Sequence, residues 1–267
     1  MALMQISFFS DELEMMVNMD VIIPQKTKFQ VGMKGMSPEG KYPTLYLLHG
    51  ISDDHTAWLR RTSIERYVSE MGIAVVMPNV HQSFYSNMEH GFKYWNFVSE
   101  ELPRVCRTFF PNMSEDRKDT FAVGLSMGGY GAFKLGLGAP QTFGAVASLS
   151  GALDLVAEME SDKSKRKDEF WNTIFGSKEN VKGSSNDLFY LAEQLVVEDQ
   201  LKPKMYIWCG TEDFLYEENL NARDYFIKLG YDVTYEESKG DHQWKYWDEK
   251  IQRVLEWLPI GCNVQEA

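Results

Sequence analysis

Phe121-Ala122-Val123-Gly124-Leu125-Ser126-Met127-Gly128-Gly129-Tyr130-Gly131 decides how the rest of the chain reads. Its apolar start is a short buried strand, its centre a sharp turn, and its end the opening of a helix. Gly124, Ser126 and Gly128 have the G-x-S-x-G spacing of a nucleophile elbow. In such a turn the serine backbone is strained, and small neighbours let strand and helix approach closely. Gly128, Gly129 and Gly131 fall in the first turns of the helix, where each costs about 1 kcal/mol relative to Ala. That cost points to a packing requirement, whereas an ordinary glycine-rich turn would account for the pattern without chemistry.

Outward from the elbow, buried strands alternate with helices. Thr44-Leu45-Tyr46-Leu47-Leu48 and Ile73-Ala74-Val75-Val76-Met77 are continuous apolar runs, as expected of strands covered on both faces. Residues 143–149, 204–209 and 232–238 read as further strands, and 13–23 as one or two antiparallel opening strands. Helices are expected over 56–70, 94–109, 216–229 and 243–258, with Pro103 bending or dividing the second. The charged segment 152–187 reads as a partly helical, cap-like insertion. The expectation is a single α/β unit over 1–267, with a mostly parallel central sheet and helices on both faces.

Ligands of such sheets bind beyond the C-terminal strand ends. Three polar residues lie just past predicted strands: Ser126, Asp213 and His242. A serine hydroxyl needs a base within hydrogen-bond reach, and the base needs a partner to fix its tautomer. Their chain order, serine then acid then histidine, is that of an α/β-hydrolase. Asp154 rivals Asp213 as the acid, and Asp241 is too near His242 in sequence to face its ring well. His49 is expected to support the neighbouring loop, while His55, His81 and His90 read as loop residues. Oxyanion donors are expected from the Met127 N–H, next after the serine, and from the Ile51 N–H in the His49-Gly50-Ile51 loop.

Composition narrows the function classes. A net charge of -12 argues against nucleic acid as a partner. No apolar run approaches a membrane span, and the acidic N-terminus lacks the basic start of a signal peptide. Cys106, Cys209 and Cys262 are few and far apart, as in a reducing, cytoplasmic setting. No spacing suggests a metal site, a phosphate loop or a dinucleotide fold, so no cofactor is expected.

Leu47-Leu48-His49-Gly50, Pro78-Asn79, Glu101-Leu102-Pro103, Phe110-Pro111-Asn112, the elbow and Ser150-Gly151-Ala152-Leu153 together resemble the tributyrin esterase branch of the esterase D-like α/β-hydrolases. The likeness runs roughly from residue 13 to 258. It implies a carboxylesterase for short acyl esters, acetyl or feruloyl among them. The family's nucleophile then maps to Ser126, its acid to Asp213, its base to His242, and its oxyanion amides to Ile51 and Met127. Relatives of this kind include S-formylglutathione hydrolases and acyl-transferring proteins. A non-catalytic protein of the same fold is the reading from another class. The partner expected is a small ester, and a homo-oligomer is compatible with the sequence. Many members carry Ser-Gly after His-Gly-x, where this chain has Ser52-Asp53-Asp54. Among the loop aromatics Trp58, Phe84, Tyr85, Trp95, Trp171 and Trp244, the expected pocket walls are Trp58 and Trp244.

Overall fold

The computed structural model describes residues 1–160 and 166–260. Its elements in chain order are β1 (Ala2–Ser10), β2 (Met15–Ile23), β3 (Thr44–Leu48), α1 (Ala57–Arg61), α2 (Ile64–Tyr67), β4 (Ala74–Pro78), α3 (Tyr94–Asn96), a π-helical stretch (Phe97–Glu101) and α4 (Leu102–Phe109). There follow β5 (Thr120–Leu125), α5 (Met127–Gly138), β6 (Ala145–Leu149), α6 (Leu155–Glu160), α7 (Asp168–Phe175), α8 (Leu188–Val197), β7 (Lys204–Gly210), α9 (Tyr216–Lys228), β8 (Val233–Ser238) and α10 (Trp244–Trp257).

The eight strands form one sheet in the order β1-β2-β4-β3-β5-β6-β7-β8. The β1–β2 and β2–β4 pairs are antiparallel, and every pair from β4 to β8 is parallel. All residues of β3, β4, β5 and β6 are buried, which explains why they are so largely apolar. Alternate strand residues point into two cores. Tyr46, Val76, Ala122 and Val146 face one that includes residues of α4, α5, α8 and α9. Leu45, Val75, Val123 and Ala147 face the other, shared with α1, α2 and α10. With helices on both faces, the sheet is that of an α/β-hydrolase.

Several local expectations are corrected. β1 has no counterpart among the strands expected from sequence. It is an edge strand with most residues partly or fully exposed, and so lacks an apolar run. Its turn into β2 is anchored from afar: buried Glu101 accepts the Ser10 hydroxyl and, at 2.8 Å, the Asp11 N–H. The helix expected over 56–70 is two short helices, broken where Thr62 turns extended at φ -136°, ψ 173°. Pro103 does not break its helix, because it stands in the first turn of α4, directly after the π-helical stretch. Helix α8 likewise has no counterpart among the expected helices. Of the charge run 162–169, residues 162–165 lie outside the described residues, as does Cys262. Cys106 and Cys209 are buried free thiols, and burial pushes both thiol pKa values up.

Candidate active site

The elbow forms as its glycines require. Ser126 sits at φ 52°, ψ -122°, between β5 and α5. A Cβ on Gly124 would stand 2.2 Å from the Gly128 carbonyl oxygen, and one on Gly128 would stand 2.4 Å from that of Leu48. No side chain fits either gap, so strand, turn and helix close only with glycine there. The Ser126 N–H donates to Leu149 O at 3.0 Å, and the Ser126 carbonyl accepts the Gly129 N–H at 2.9 Å. Backbone hydrogen bonds thus clamp the strained residue on both sides.

The three polar residues meet. His242 Nε2 is 3.0 Å from Ser126 Oγ, and His242 Nδ1 is 2.9 Å and 3.1 Å from the two Asp213 carboxylate oxygens. An acceptor carboxylate at Nδ1 fixes the proton there, leaving Nε2 to accept from the serine hydroxyl. Asp213 also accepts the Leu215 N–H at 3.0 Å, which holds its carboxylate in place. The imidazole packs against two aromatic rings, Phe214 at 4.6 Å and Trp247 at 4.9 Å between centroids. Both came with no sequence expectation, although Phe214 adjoins Asp213 and Trp247 lies one helical turn after Trp244.

The rivals stand elsewhere. Asp154 accepts the Ala157 N–H at 3.0 Å at the start of α6. Asp241 is engaged by the Gln243 side-chain amide at 2.5 Å.

Two backbone donors border the serine. The Met127 N–H opens α5, where a helix leaves its first amides without intrahelical partners and adds the positive end of its dipole. The Ile51 N–H has no acceptor among the described residues. Its direction follows from His49, a buried ring whose pKa burial lowers to about 4. His49 Nε2 accepts the Val80 N–H at 3.1 Å, so the ring is neutral with its proton on Nδ1. That N–H donates to the Gly50 carbonyl at 2.7 Å. In a trans peptide C=O and N–H point opposite ways, so anchoring the Gly50 carbonyl aims the Ile51 N–H away from His49. The support expected of His49 takes this form.

A cavity of about 650 Å³ opens over these groups, lined by Gly50, Ile51, Ser126, Met127, His242 and a largely aromatic rim. Trp244 lines it, together with Phe84, Trp171 and Trp247. Trp58 does not. It is fully buried, donates its indole N–H to Leu48 O at 3.0 Å and packs edge-on to Trp244, so it backs the wall and does not form it. Tyr85 and Trp95 are also drawn elsewhere, Tyr85 donating to His49 O at 2.9 Å and Trp95 lying over Lys134. Among the described residues no group of three or more His, Cys, Asp or Glu side chains could hold a metal ion. No helix there is long and apolar enough to cross a membrane.

Beside the cavity, burial, then the nearby Glu158 and Asp154, raise the Glu218 pKa to about 8. The folded chain therefore keeps a proton that the unfolded chain releases near the ordinary carboxylate range. Stability falls as pH rises between those two values. Glu218→Gln removes this dependence, so its melting temperature should decline less than the wild type's between pH 6 and 9. Parallel curves would contradict the assignment.

A strained serine with histidine and carboxylate in succession at the C-terminal strand ends defines a serine hydrolase of the α/β-hydrolase fold. The Esterase family model matches residues 20–258. The chain belongs to this family, among the esterase D-like enzymes, and is a carboxylic ester hydrolase. It is 34% identical over 263 residues to an acetyl esterase of Caldicellulosiruptor saccharolyticus, covering 97% of this chain and 98% of that one. Two Staphylococcus aureus structures share 35% identity and cover 96% of this chain and 98% of theirs. One is FphF, a fluorophosphonate-binding serine hydrolase, with a TM-score of 0.86. The other is the S-formylglutathione hydrolase FrmB, with a TM-score of 0.83.

Proposed function

We propose that Ser126 is the nucleophile, His242 the general base and acid, and Asp213 the group that orients the imidazole. The reaction is hydrolysis of short-chain acyl esters through an acyl-enzyme. The 3.0 Å approach of His242 Nε2 to Ser126 Oγ, with a carboxylate behind Nδ1, is the observation that carries this reading. Ser126 Oγ bonds to the ester carbonyl carbon as its proton passes to His242 Nε2. The Ile51 and Met127 amides stabilise the oxyanion, each donor of this kind being worth about 10²–10³ in rate. The carbon–oxygen bond to the alcohol breaks, and the alcohol leaves with the proton from His242. Water then gives a proton to the same nitrogen as its oxygen bonds to the acyl carbon, and the acyl carbon–Oγ bond breaks as His242 returns that proton to Ser126 Oγ, releasing the acid and the free serine.

Acetyl esters lead the substrate list, supported by the acetyl esterase relative spanning nearly the whole chain. A thioester substrate is the second reading, since FrmB shares the same sequence identity and coverage with this chain as FphF. We read 1–267 as one unit with 152–187 as its cap, supported by Glu158, Arg166 and Trp171 of that segment at the cavity wall. A cytoplasmic location is supported by the two buried free thiols. Comparison of kcat/KM for acetyl, butyryl, octanoyl and feruloyl esters and S-formylglutathione tests the substrate assignment. Values for acetyl and butyryl esters about tenfold or more above the others are expected. Equal or higher values for octanoyl, feruloyl or glutathione substrates contradict it.

A further inference from the structure

Besides His242, the cavity over Ser126 is lined by three side chains able to carry charge: Asp53, Glu158 and Arg166. Glu158 and Arg166 come from the 152–187 segment, and each is engaged in interactions of its own. Asp53 differs. It belongs to the oxyanion loop, whose turn is closed by the Asp53 N–H donating to Gly50 O at 3.1 Å. Among the described residues its carboxylate has no hydrogen bond and no ion pair, although it is only partly exposed. Arg61 attracts it from beyond ion-pair range and is itself laid over the Trp244 ring at 5.7 Å.

The distance to the chemistry is bounded by Gly50. A point one Cβ out from Gly50 lies 3.3 Å from Asp53 Oδ2 and 3.7 Å from Ser126 Cβ, so the two are at most about 7 Å apart. At such a range, and with the dielectric of a partly buried site, a unit charge changes the binding of another by about tenfold or more. A substrate in contact with Ser126 therefore has a carboxylate beside it whose charge is not cancelled by a bound partner. Charge is the property this loop can read most strongly.

We propose that Asp53 is a specificity-determining residue that disfavours esters bearing a negative charge near the scissile carbonyl and favours neutral and cationic ones. This deepens the esterase reading of Ser126 and rests on it. The Asp53 in the Ser52-Asp53-Asp54 run, where many members have Ser-Gly, thereby acquires a function. It also places net-anionic glutathione thioesters among the disfavoured substrates.

The test uses matched esters at neutral to mildly alkaline pH and low salt. For the alcohol side these are 4-acetoxybenzoate, 4-acetoxybenzamide and (4-acetoxyphenyl)trimethylammonium. For the acyl side they are the p-nitrophenyl monoester of succinic acid and p-nitrophenyl butyrate. In Asp53→Asn, which keeps the shape and removes the charge, the anionic-to-neutral ratio of kcat/KM should rise about tenfold or more in at least one series. The cationic-to-neutral ratio should fall, and Asp53→Ser should reproduce both shifts. Asp232→Asn, before β8 at the opposite end of the strands, should leave the ratios unchanged. Ratios in Asp53→Asn within about twofold of wild type in both series would overturn the proposal, as would equal shifts in Asp232→Asn. Failure of the wild-type protein to hydrolyse the neutral esters would instead sink the esterase reading, and this proposal with it.

Discussion

Ser126→Ala is expected to lower ester turnover by about 10⁴–10⁶-fold in kcat while leaving the chain folded. The substitution removes the one atom that His242 Nε2 can activate, 3.0 Å away, and leaves the oxyanion amides and the cavity in place. Residual turnover would then reflect binding and oxyanion stabilisation alone. The backbone strain at φ 52° is much the same for Ala as for Ser, so the elbow has no new reason to unfold. Stopped assays with p-nitrophenyl acetate, beside a thermal melt, check both halves of the expectation. Turnover near that of the wild type would require a different nucleophile.

Asp213→Asn should lower kcat by roughly 10⁴-fold, whereas Asp154→Asn should change it by no more than a few-fold. Asparagine at 213 can keep the acceptor that holds the Leu215 N–H at 3.0 Å, so the turn survives. Its amide, however, then presents N–H groups to His242 Nδ1, where the carboxylate presents two acceptors at 2.9 and 3.1 Å. The imidazole responds with its proton on Nε2, facing Ser126, and can no longer accept from the hydroxyl. Asp154 only receives the Ala157 N–H at the start of α6, a bond that asparagine can also accept. Steady-state kinetics of the two variants side by side decide the matter, and the reverse ranking would move the acid to Asp154.

The three side chains were legible because each follows a strand of the parallel part of the sheet, and parallel strands end at one rim. The elbow was legible for a steric reason: glycines at 124 and 128 satisfy contacts that no side chain could. The aromatic walls were not. Trp58 and Trp244 both adjoin predicted site loops, yet one packs beneath the other, a distinction set by packing across the fold. Phe84 owes its place to a backbone at φ 49°, a conformation that its sequence gives no sign of. β1 is not legible in sequence because pairing with β2 over nine residues, and not an apolar pattern, makes it a strand. The proton held at Glu218 depends first on burial and then on Glu158 and Asp154, an environment that exists only in the folded chain.

The central claim is that one serine, and no other residue, is made nucleophilic by its histidine. Intact-mass and peptide analysis after reaction with an alkyl fluorophosphonate reads this directly. One adduct per chain is expected, on the peptide carrying Ser126, with its near-complete loss in His242→Ala. An adduct on another residue, or undiminished labelling of Ser126 without His242, would contradict it.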